Sequence, residues 1–491
     1  MRRMSVLALV GALRDPATTN RRIFRAAATV GVFSIGVKLI AMFKEVAVAN
    51  YFGRSGPVDA FLAAYLLPGF VVVLVGGSLN AAFIPTFIQV RKDGGEGAGQ
   101  RLFSSCMVWS QGLLLGLTLL LAAVGPSLVR AIASGFSPQK LQLCTHLFYA
   151  MLPMILLSGV AANSSAILNA SKCFWLPAVC PILTPLLTFI LLLTRAKTWG
   201  VWSLVGGVLL GSLAECVVLG FALHYKRIHL WPRWHGYTRE VRQVGVQYIP
   251  LLIGSVLVSG VTVVDQSMAA WLQPGSVAAL AYGNRMVSVV VGLTSTSLSA
   301  AVIPYFSEMI AEGNWEACRH TLQTYTRILL LAMTPIGILL VVFSPVLVRW
   351  LFQRGAFTAQ DTLVVSRVQA MYALQIPFYA AGLLYVRMLT AMRRNDLVMI
   401  SAGISLSLDI VLNLICMRFF GVAGIALSTS LFYVASLLFA FLTARYLLAE
   451  RIASQNRTRN SLETKARSAS ISLQRNGING GTRAEPAQQL K

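Results

Sequence analysis

Charge is scarce in this chain: Asp, Glu, Lys and Arg make up 12% of it, and only 17 of its 491 residues are acidic. Water-soluble domains carry roughly 25% charged residues, so that class is excluded. The seven cysteines (106, 144, 173, 180, 216, 318 and 416) are scattered, with no Cys-x-x-Cys pair and no Cys/His cluster. Neither a disulfide framework nor a zinc site is implied. The sequence also lacks a phosphate-cradling P-loop, a catalytic His pair and a pair of carboxylates placed to bind the metal of a nucleotide sugar. An enzyme and a nucleotide-driven pump are therefore not expected, and no cofactor is implied. Any transport must draw on an ion gradient, the membrane potential or substrate supply.

What the chain has in quantity is apolar surface. It is 56% hydrophobic with a mean hydropathy of +0.70, and its apolar runs approach or exceed the roughly 20 residues that span a bilayer. Pro, Gly and charge punctuation divides these runs into twelve expected spans. They lie near 27–50, 58–90, 104–129, 144–170, 174–194, 200–223, 246–271, 278–307, 325–348, 364–391, 397–417 and 421–448. The second and eighth are longer than a bilayer needs, which predicts tilt or a surface extension. The fold class is all-α integral membrane.

The formal charge of +24 raises nucleic acid as a partner, but its placement points to membrane topology instead. Arg2, Arg3, Arg14, Arg21, Arg22 and Arg25 precede the first span, and Lys226, Arg227, Arg233, Arg239 and Arg242 fall in or beside the central loop. Basic loops stay in the cytoplasm, so both termini are expected inside and nucleic acid is not expected as a partner. Near anionic lipid headgroups each such residue contributes about 1 kcal/mol. Met1-Arg2-Arg3 followed by the apolar run 5–13 imitates a signal peptide. It leads into Arg14-Asp15-Pro16 without an A-x-A site, so it reads as an uncleaved cytoplasmic segment.

An internal repeat sets the architecture. Ser78-Leu79-Asn80-Ala81-Ala82-Phe83-Ile84-Pro85-Thr86-Phe87 returns as Ser297-Leu298-Ser299-Ala300-Ala301-Val302-Ile303-Pro304-Tyr305-Phe306, seven identities in ten at an offset of 219. The repeated segments are the second and eighth spans, an even number apart, so the halves share one orientation. Parallel repeats place a substrate path between two lobes. The expected order is a basic segment (1–26), an N-lobe (27–224), a basic linker (225–245), a C-lobe (246–449) and a disordered Ser-, Asn- and Arg-rich cytoplasmic tail (450–491). The lobes are pseudo-symmetric, with six spans each.

Lys38, Lys44, Glu45, Asp59, Asp265, Arg285 and Asp409 lie within or at the edge of these apolar runs. An ionisable group at the bilayer centre costs roughly 3 kcal/mol on insertion scales, so several together predict a water-filled interior and a transport function. Ser34, Lys38 and Glu45 share one helical face. Lys38, Lys44 and Arg285 would form a cationic cavity for a phosphate or pyrophosphate. The competing reading for Lys44 and Glu45 is pairing or snorkelling near the span end. A second group is oxygen-rich: Asp265, Asp409 with Asn413 one turn on, and Thr429. It suits a hard cation such as Na⁺, or a proton relay. Interhelical hydrogen bonding explains Asn413 and Thr429 as well.

Phe52-Gly53-Arg54-Ser55-Gly56-Pro57-Val58-Asp59-Ala60-Phe61 with Leu67-Pro68 resembles the MurJ/MviN family of lipid II flippases. That family sits in the superfamily that also holds multidrug exporters and polysaccharide flippases. The likeness continues in Ala82–Pro85, Ala166–Asn169, Tyr282–Arg285, Leu351–Thr358 and Gly421–Thr429. It implies a flippase moving a polyprenyl-pyrophosphate glycan, lipid II or a relative, from the cytoplasmic to the periplasmic leaflet of the bacterial inner membrane. It places Lys38, Lys44, Glu45, Asp59 and Arg285 in the substrate cavity. A sodium site falls on Asp265, Asp409, Asn413, the carbonyl of Ile425, and Thr429, with Asp and Asn exchanged between 409 and 413. Membrane lipids and cell-envelope synthesis proteins follow as partners.

Three departures qualify the resemblance. Val72 stands where the family has a cation, Ser288 stands where it has an acid, and two further C-terminal spans are lacking. Another lipid-linked glycan is then a serious alternative to lipid II. Two rival functions remain: a cation-coupled amphiphile exporter, which needs an aromatic, acidic cavity, and a non-transporting scaffold.

Overall fold

The computed structural model describes the backbone of residues 19–479, except Lys172, Arg227, 229–233, His235, Tyr237 and Arg393. Most of the basic segment expected over 1–26 lies outside the described residues, as do Arg227 and Arg233 of the linker and the end of the expected tail. Every described regular element is helical. Three helices build the first half of the N-lobe: α1 (Thr19–Phe52), α2 (Gly56–Ile132) and α3 (Pro138–Met151). It is completed by α4 (Pro153–Ala170), α5 (Trp175–Val179), a 3₁₀ turn (Cys180–Ile182), α6 (Leu183–Trp199) and α7 (Trp202–Tyr225). The second half runs through α8 (Arg239–Ala270), α9 (Ser276–Ala311), α10 (Trp315–Val342), α11 (Ser344–Phe352), α12 (Ala359–Ala373), α13 (Gln375–Ala391), α14 (Asn395–Phe420) and α15 (Val422–Asn479).

All twelve expected spans fall on helices, and 10 of these among the described residues are long and apolar enough to cross a membrane. The first span lies on α1 (Thr19–Phe52). The tenth span is broken at Leu374 into α12 and α13, since Pro377 has no N–H for the carbonyl of Ala373 and its ring crowds that carbonyl. The N-lobe repeats the device, where Leu152 separates α3 from α4 ahead of Pro153. A second matched pair accompanies the sequence repeat. Gly200 (φ 55°, ψ −137°) and Gly421 (φ 57°, ψ −134°) make the same turn, each followed by Val, between the fifth and sixth spans of their lobes. Gly95 (φ 75°) divides α2 into the second and third spans.

Two expectations are corrected. The α15 helix continues through Asn479 where a disordered tail was expected from residue 450. It extends an existing helix, so no new nucleus is needed, and Glu450 to Ala453 with Leu462 to Arg467 are mostly good helix formers. The second correction concerns α8, whose N-terminal half was assigned to the linker and C-lobe. It is buried against the N-lobe: Val241, Val244 and Tyr248, on one helical stripe, join the N-lobe core. Tyr248 meets Trp109 edge-on, with ring centroids 5.5 Å apart. Its hydroxyl is buried without a partner. Tyr248→Phe therefore leaves the melting temperature of the purified protein unchanged or higher. Tyr248→Ala costs roughly 3 kcal/mol through the cavity left behind.

The lobes meet in a dense clasp at the end of the bundle that carries the 53–56 and 271–275 turns. Asp59, at the start of α2, accepts the backbone N–H of Gly275 at 2.5 Å and of Ala278 at 2.8 Å, capping α9 across the lobe boundary. Its carboxylate also takes Lys140 of α3 at 2.8 Å. Arg54 pairs with Asp361 at 3.0 Å, and Ala356 donates its N–H to the carbonyl of Asn50 at 2.9 Å. Gly53 and Gly355, both at positive φ, allow these backbones to touch: a Cβ on either would run into Ala356 or Asn50. Tyr282, Phe352 and Phe357 fill the clasp, with centroids 5.3 to 5.9 Å apart.

Candidate functional site

The first group of charges forms where α1 crosses α9. Successive α1 residues Val32, Ile35, Leu39 and Phe43 are exposed on its outer face, which turns Lys38, Lys44 and Glu45 toward the C-lobe. Glu45 is buried, and its carboxylate is shared by Lys44 at 2.6 Å and by Arg285 of α9. A single anion thus joins two cations from opposite lobes. The side chain of Arg285 is 37% accessible, although its Nε is enclosed without a partner. Lys38 lies farther along the same crossing, over Gly292, where an added Cβ would sit 2.8 Å from its Nζ. Lys38, Lys44, Glu45 and Arg285 are therefore brought to one interface.

Asp59 is placed elsewhere. It was expected with the cavity residues, yet it is 1% exposed and its carboxylate is held in the clasp. Lys140, its partner, was not anticipated by sequence reasoning. It stands near the start of its own helix, where a basic residue carries no signal of a buried contact. Among the departures noted above, Ser288 donates to the backbone carbonyl of Arg285 at 2.8 Å.

The oxygen-rich residues also assemble. Asn413 donates to Asp265 at 2.8 Å and to Asp409 at 3.0 Å, while Thr429 reaches Asp265 at 3.2 Å and the carbonyl of Ile425 at 3.0 Å. Ser428, overlooked in the sequence although it adjoins Thr429, donates to the Asn413 side-chain oxygen and to Ile425 O. Asp409, Asn413 and Ser428 have no solvent exposure. The Oδ1 atom of Asp409 is buried with no hydrogen-bond partner, a costly arrangement for a carboxylate unless a cation or proton joins it. The carboxylates of Asp265 and Asp409, the Thr429 hydroxyl and the Ile425 carbonyl, from α8, α14 and α15, are oxygen donors of the kind that suit a hard monovalent cation, whereas the Asn413 amide turns its N–H groups to the two acids and its oxygen to Ser428.

These two groups are closer than sequence reading expected. One cavity of about 580 Å³ is lined by Arg285, Asp265 and Thr429 together, with Tyr65 of α2 closing its N-lobe side. Among the described residues, Arg285 and Asp265 are the only charged ones in its lining. The oxygen-rich cluster forms part of the cavity wall rather than a separate site.

Comparison with known proteins places this geometry. Chains described as "Probable lipid II flippase MurJ" from Bdellovibrio bacteriovorus and Thermotoga maritima are 26% and 25% identical to it. The alignments cover 83% and 84% of this chain and 79% and 84% of those proteins. A solved structure described as "Lipid II flippase MurJ, inward closed conformation" superposes with a TM-score of 0.75 at 23% identity, over 85% of this chain and 87% of that one. An inward-facing multidrug MATE transporter gives 0.74 at 13% identity, over 87% and 99%, and an outward-facing one 0.63 at 13%, over 88% and 96%. The family model described as "Lipid II flippase MurJ" matches residues 48–467. With a match over most of its length, the chain belongs to the MurJ family.

Proposed function

We propose that this protein turns a lipid-linked glycan precursor of the lipid II class from the cytoplasmic to the outer leaflet of the cytoplasmic membrane, for peptidoglycan synthesis. The observation that carries the reading is the carboxylate of Glu45 held between Lys44 and Arg285 across the lobe boundary. A pyrophosphate is the chemical match for that carboxylate: an oxyanion with more charge and more acceptor oxygens. Carrying such a group through hydrocarbon unaided costs many kcal/mol, and a hydrated cationic cavity removes most of that barrier. With both termini inside, the clasp lies at the outer face, so this conformation receives substrate from the cytoplasm. The headgroup enters between Lys38, Lys44 and Arg285 while its polyprenyl tail stays in lipid. Exchange of Glu45 for phosphate loosens one interlobe contact, and opening the clasp then exposes the headgroup outside. An inside-negative potential favours outward movement by about 2.3 kcal/mol per charge per 100 mV for full crossing.

Asp265, Asp409, Thr429 and the Ile425 carbonyl would hold a coupling Na⁺, and a bound cation would neutralise the buried carboxylates there. Asn413 bridges the two acids and fixes their separation, and Ser428 orients that amide. Ligand linkage then predicts that NaCl raises the melting temperature of the wild-type protein relative to choline chloride. Asp265→Asn abolishes this increment. An equal increment in the variant would remove the cation from this account.

The exporter reading requires an acidic cavity, whereas Arg285 balances Asp265 in the cavity wall. Depletion in the host bacterium is expected to accumulate a polyprenyl-pyrophosphate glycan inaccessible to externally added, membrane-impermeant enzymes. Unchanged accessibility would overturn the flippase assignment.

A further inference from the structure

The cavity beside Arg285 has a lining that a pyrophosphate alone does not explain. Its distinctive side chains are polar and uncharged: Gln266, Asn284 and Gln375 supply three carboxamides, and Tyr65, Tyr372 and Tyr433 three phenol rings. A carboxamide donates and accepts at once, as a sugar hydroxyl or an N-acetyl group does. A tyrosine offers an apolar ring face and a polar edge, matching the C–H face and hydroxyl rim of a pyranose. The volume of about 580 Å³ falls within the roughly 300–1,000 Å³ range of small-ligand pockets.

Two of the rings are held by their surroundings. Tyr65 stacks on Phe61 at 6.1 Å and lies over Gly69, where an added Cβ would come within 2.7 Å of the ring. It lines the cavity, and the residue is 37% exposed. Tyr433 is set edge-on by Tyr379 at 5.2 Å and 85°. Rings fixed in this way lose little freedom when a ligand arrives.

We propose that this cavity is the saccharide subsite of the transporter. The tyrosines stack on an N-acetylhexosamine of the headgroup and the carboxamides hydrogen-bond its hydroxyl and acetamido groups. Arg285 at the rim takes the adjoining phosphate. The assignment rests on the lipid-linked glycan reading above and adds which part of the headgroup the C-lobe recognises. Because Asp265 and Thr429 form part of the same wall, a bound sugar lies against the cation cluster, which gives the two ligands a direct physical connection.

The test uses the full chain in lipid nanodiscs and two short-chain polyprenyl pyrophosphates, one bare and one carrying N-acetylglucosamine. Binding is read by native mass spectrometry. The wild-type protein is expected to prefer the sugar-bearing probe by at least tenfold. Tyr65→Leu and Asn284→Ala, both at positions open to the cavity, should erase the preference by weakening the sugar-bearing probe alone. Equal weakening of both probes, or a retained preference, would overturn the subsite. Arg285→Ala should lose both probes. A wild-type protein that binds neither would overturn the lipid-linked glycan reading itself, so the two failures are distinguishable.

Discussion

Arg285→Ala is expected to reduce outward transport of the lipid-linked headgroup by two orders of magnitude or more, while the protein still inserts and purifies normally. Among the described residues the side chain is the only cation in the wall of the cavity, and it is one of two that share Glu45. Glu45 is the buried member of this pair, and removing the partner of a buried, hydrogen-bonded charge typically costs roughly 2–5 kcal/mol. A loss of about 3 kcal/mol corresponds to roughly a hundredfold. Insertion is spared because α9 keeps its apolar character, and losing an ionised side chain lowers the cost of burial. Arg285→Lys keeps the charge but not the two-pronged geometry, and so retains part of the transport. The measurement is transport of a fluorescent lipid-linked glycan in proteoliposomes, with protein content checked in the same vesicles. Wild-type transport by the alanine variant would sink the role given to this residue.

Asp59→Ala is the second large effect, acting on the conformational equilibrium rather than on substrate. One carboxylate accepts two backbone N–H groups at the start of α9 and pairs with Lys140. The substitution strands a largely buried ammonium and uncaps a helix, and breaking a buried pair in this way costs roughly 3–5 kcal/mol. Since the clasp exists only while this end is closed, the loss shifts the population toward the open-ended form, about tenfold for each 1.4 kcal/mol. A cysteine placed at Asn284, which is open to the cavity, reports the shift. In right-side-out vesicles an impermeant maleimide should label it strongly in the Asp59→Ala background and weakly in the wild type. The same chain without the added cysteine is the control. Labelling that does not change would show that Asp59 does not hold this end shut. Lys140→Ala in the same background should add little, because its only charged partner in the clasp is already gone.

Much of the fold was legible because a bilayer leaves few choices. Lipid offers no hydrogen bonds, so each long apolar run has to satisfy its own backbone as a helix. Twelve runs read from hydropathy therefore land on helices, the tenth of them interrupted at Leu374. The parallel repeat was visible in the second and eighth spans and reappears in the paired turns at Gly200 and Gly421. The site was only half legible. Buried charges attract notice because they are expensive, which singled out Lys38, Lys44, Glu45, Arg285, Asp265 and Asp409. Expense does not say what each charge is next to.

Asp59 shows the difference most clearly. Its sequence context is the same whether it faces a cavity or caps a helix in the other lobe, and only the approach of α9, permitted by glycine backbones, decides between them. Lys140, Ser428 and the tyrosines around the cavity are ordinary residues in sequence and acquire roles through partners far away in the chain. The long α15 likewise follows from continuing a helix already formed, which composition alone does not weigh. By itself the sequence determined the solvent this protein lives in, its helices, its twofold plan and the set of buried charges, because local hydropathy and desolvation cost are properties of the chain. The tertiary structure alone decided which charges share a partner, which end of the bundle is closed, and that the oxygen-rich cluster and Arg285 open onto one cavity. Those outcomes depend on distances between helices hundreds of residues apart, which no local pattern encodes.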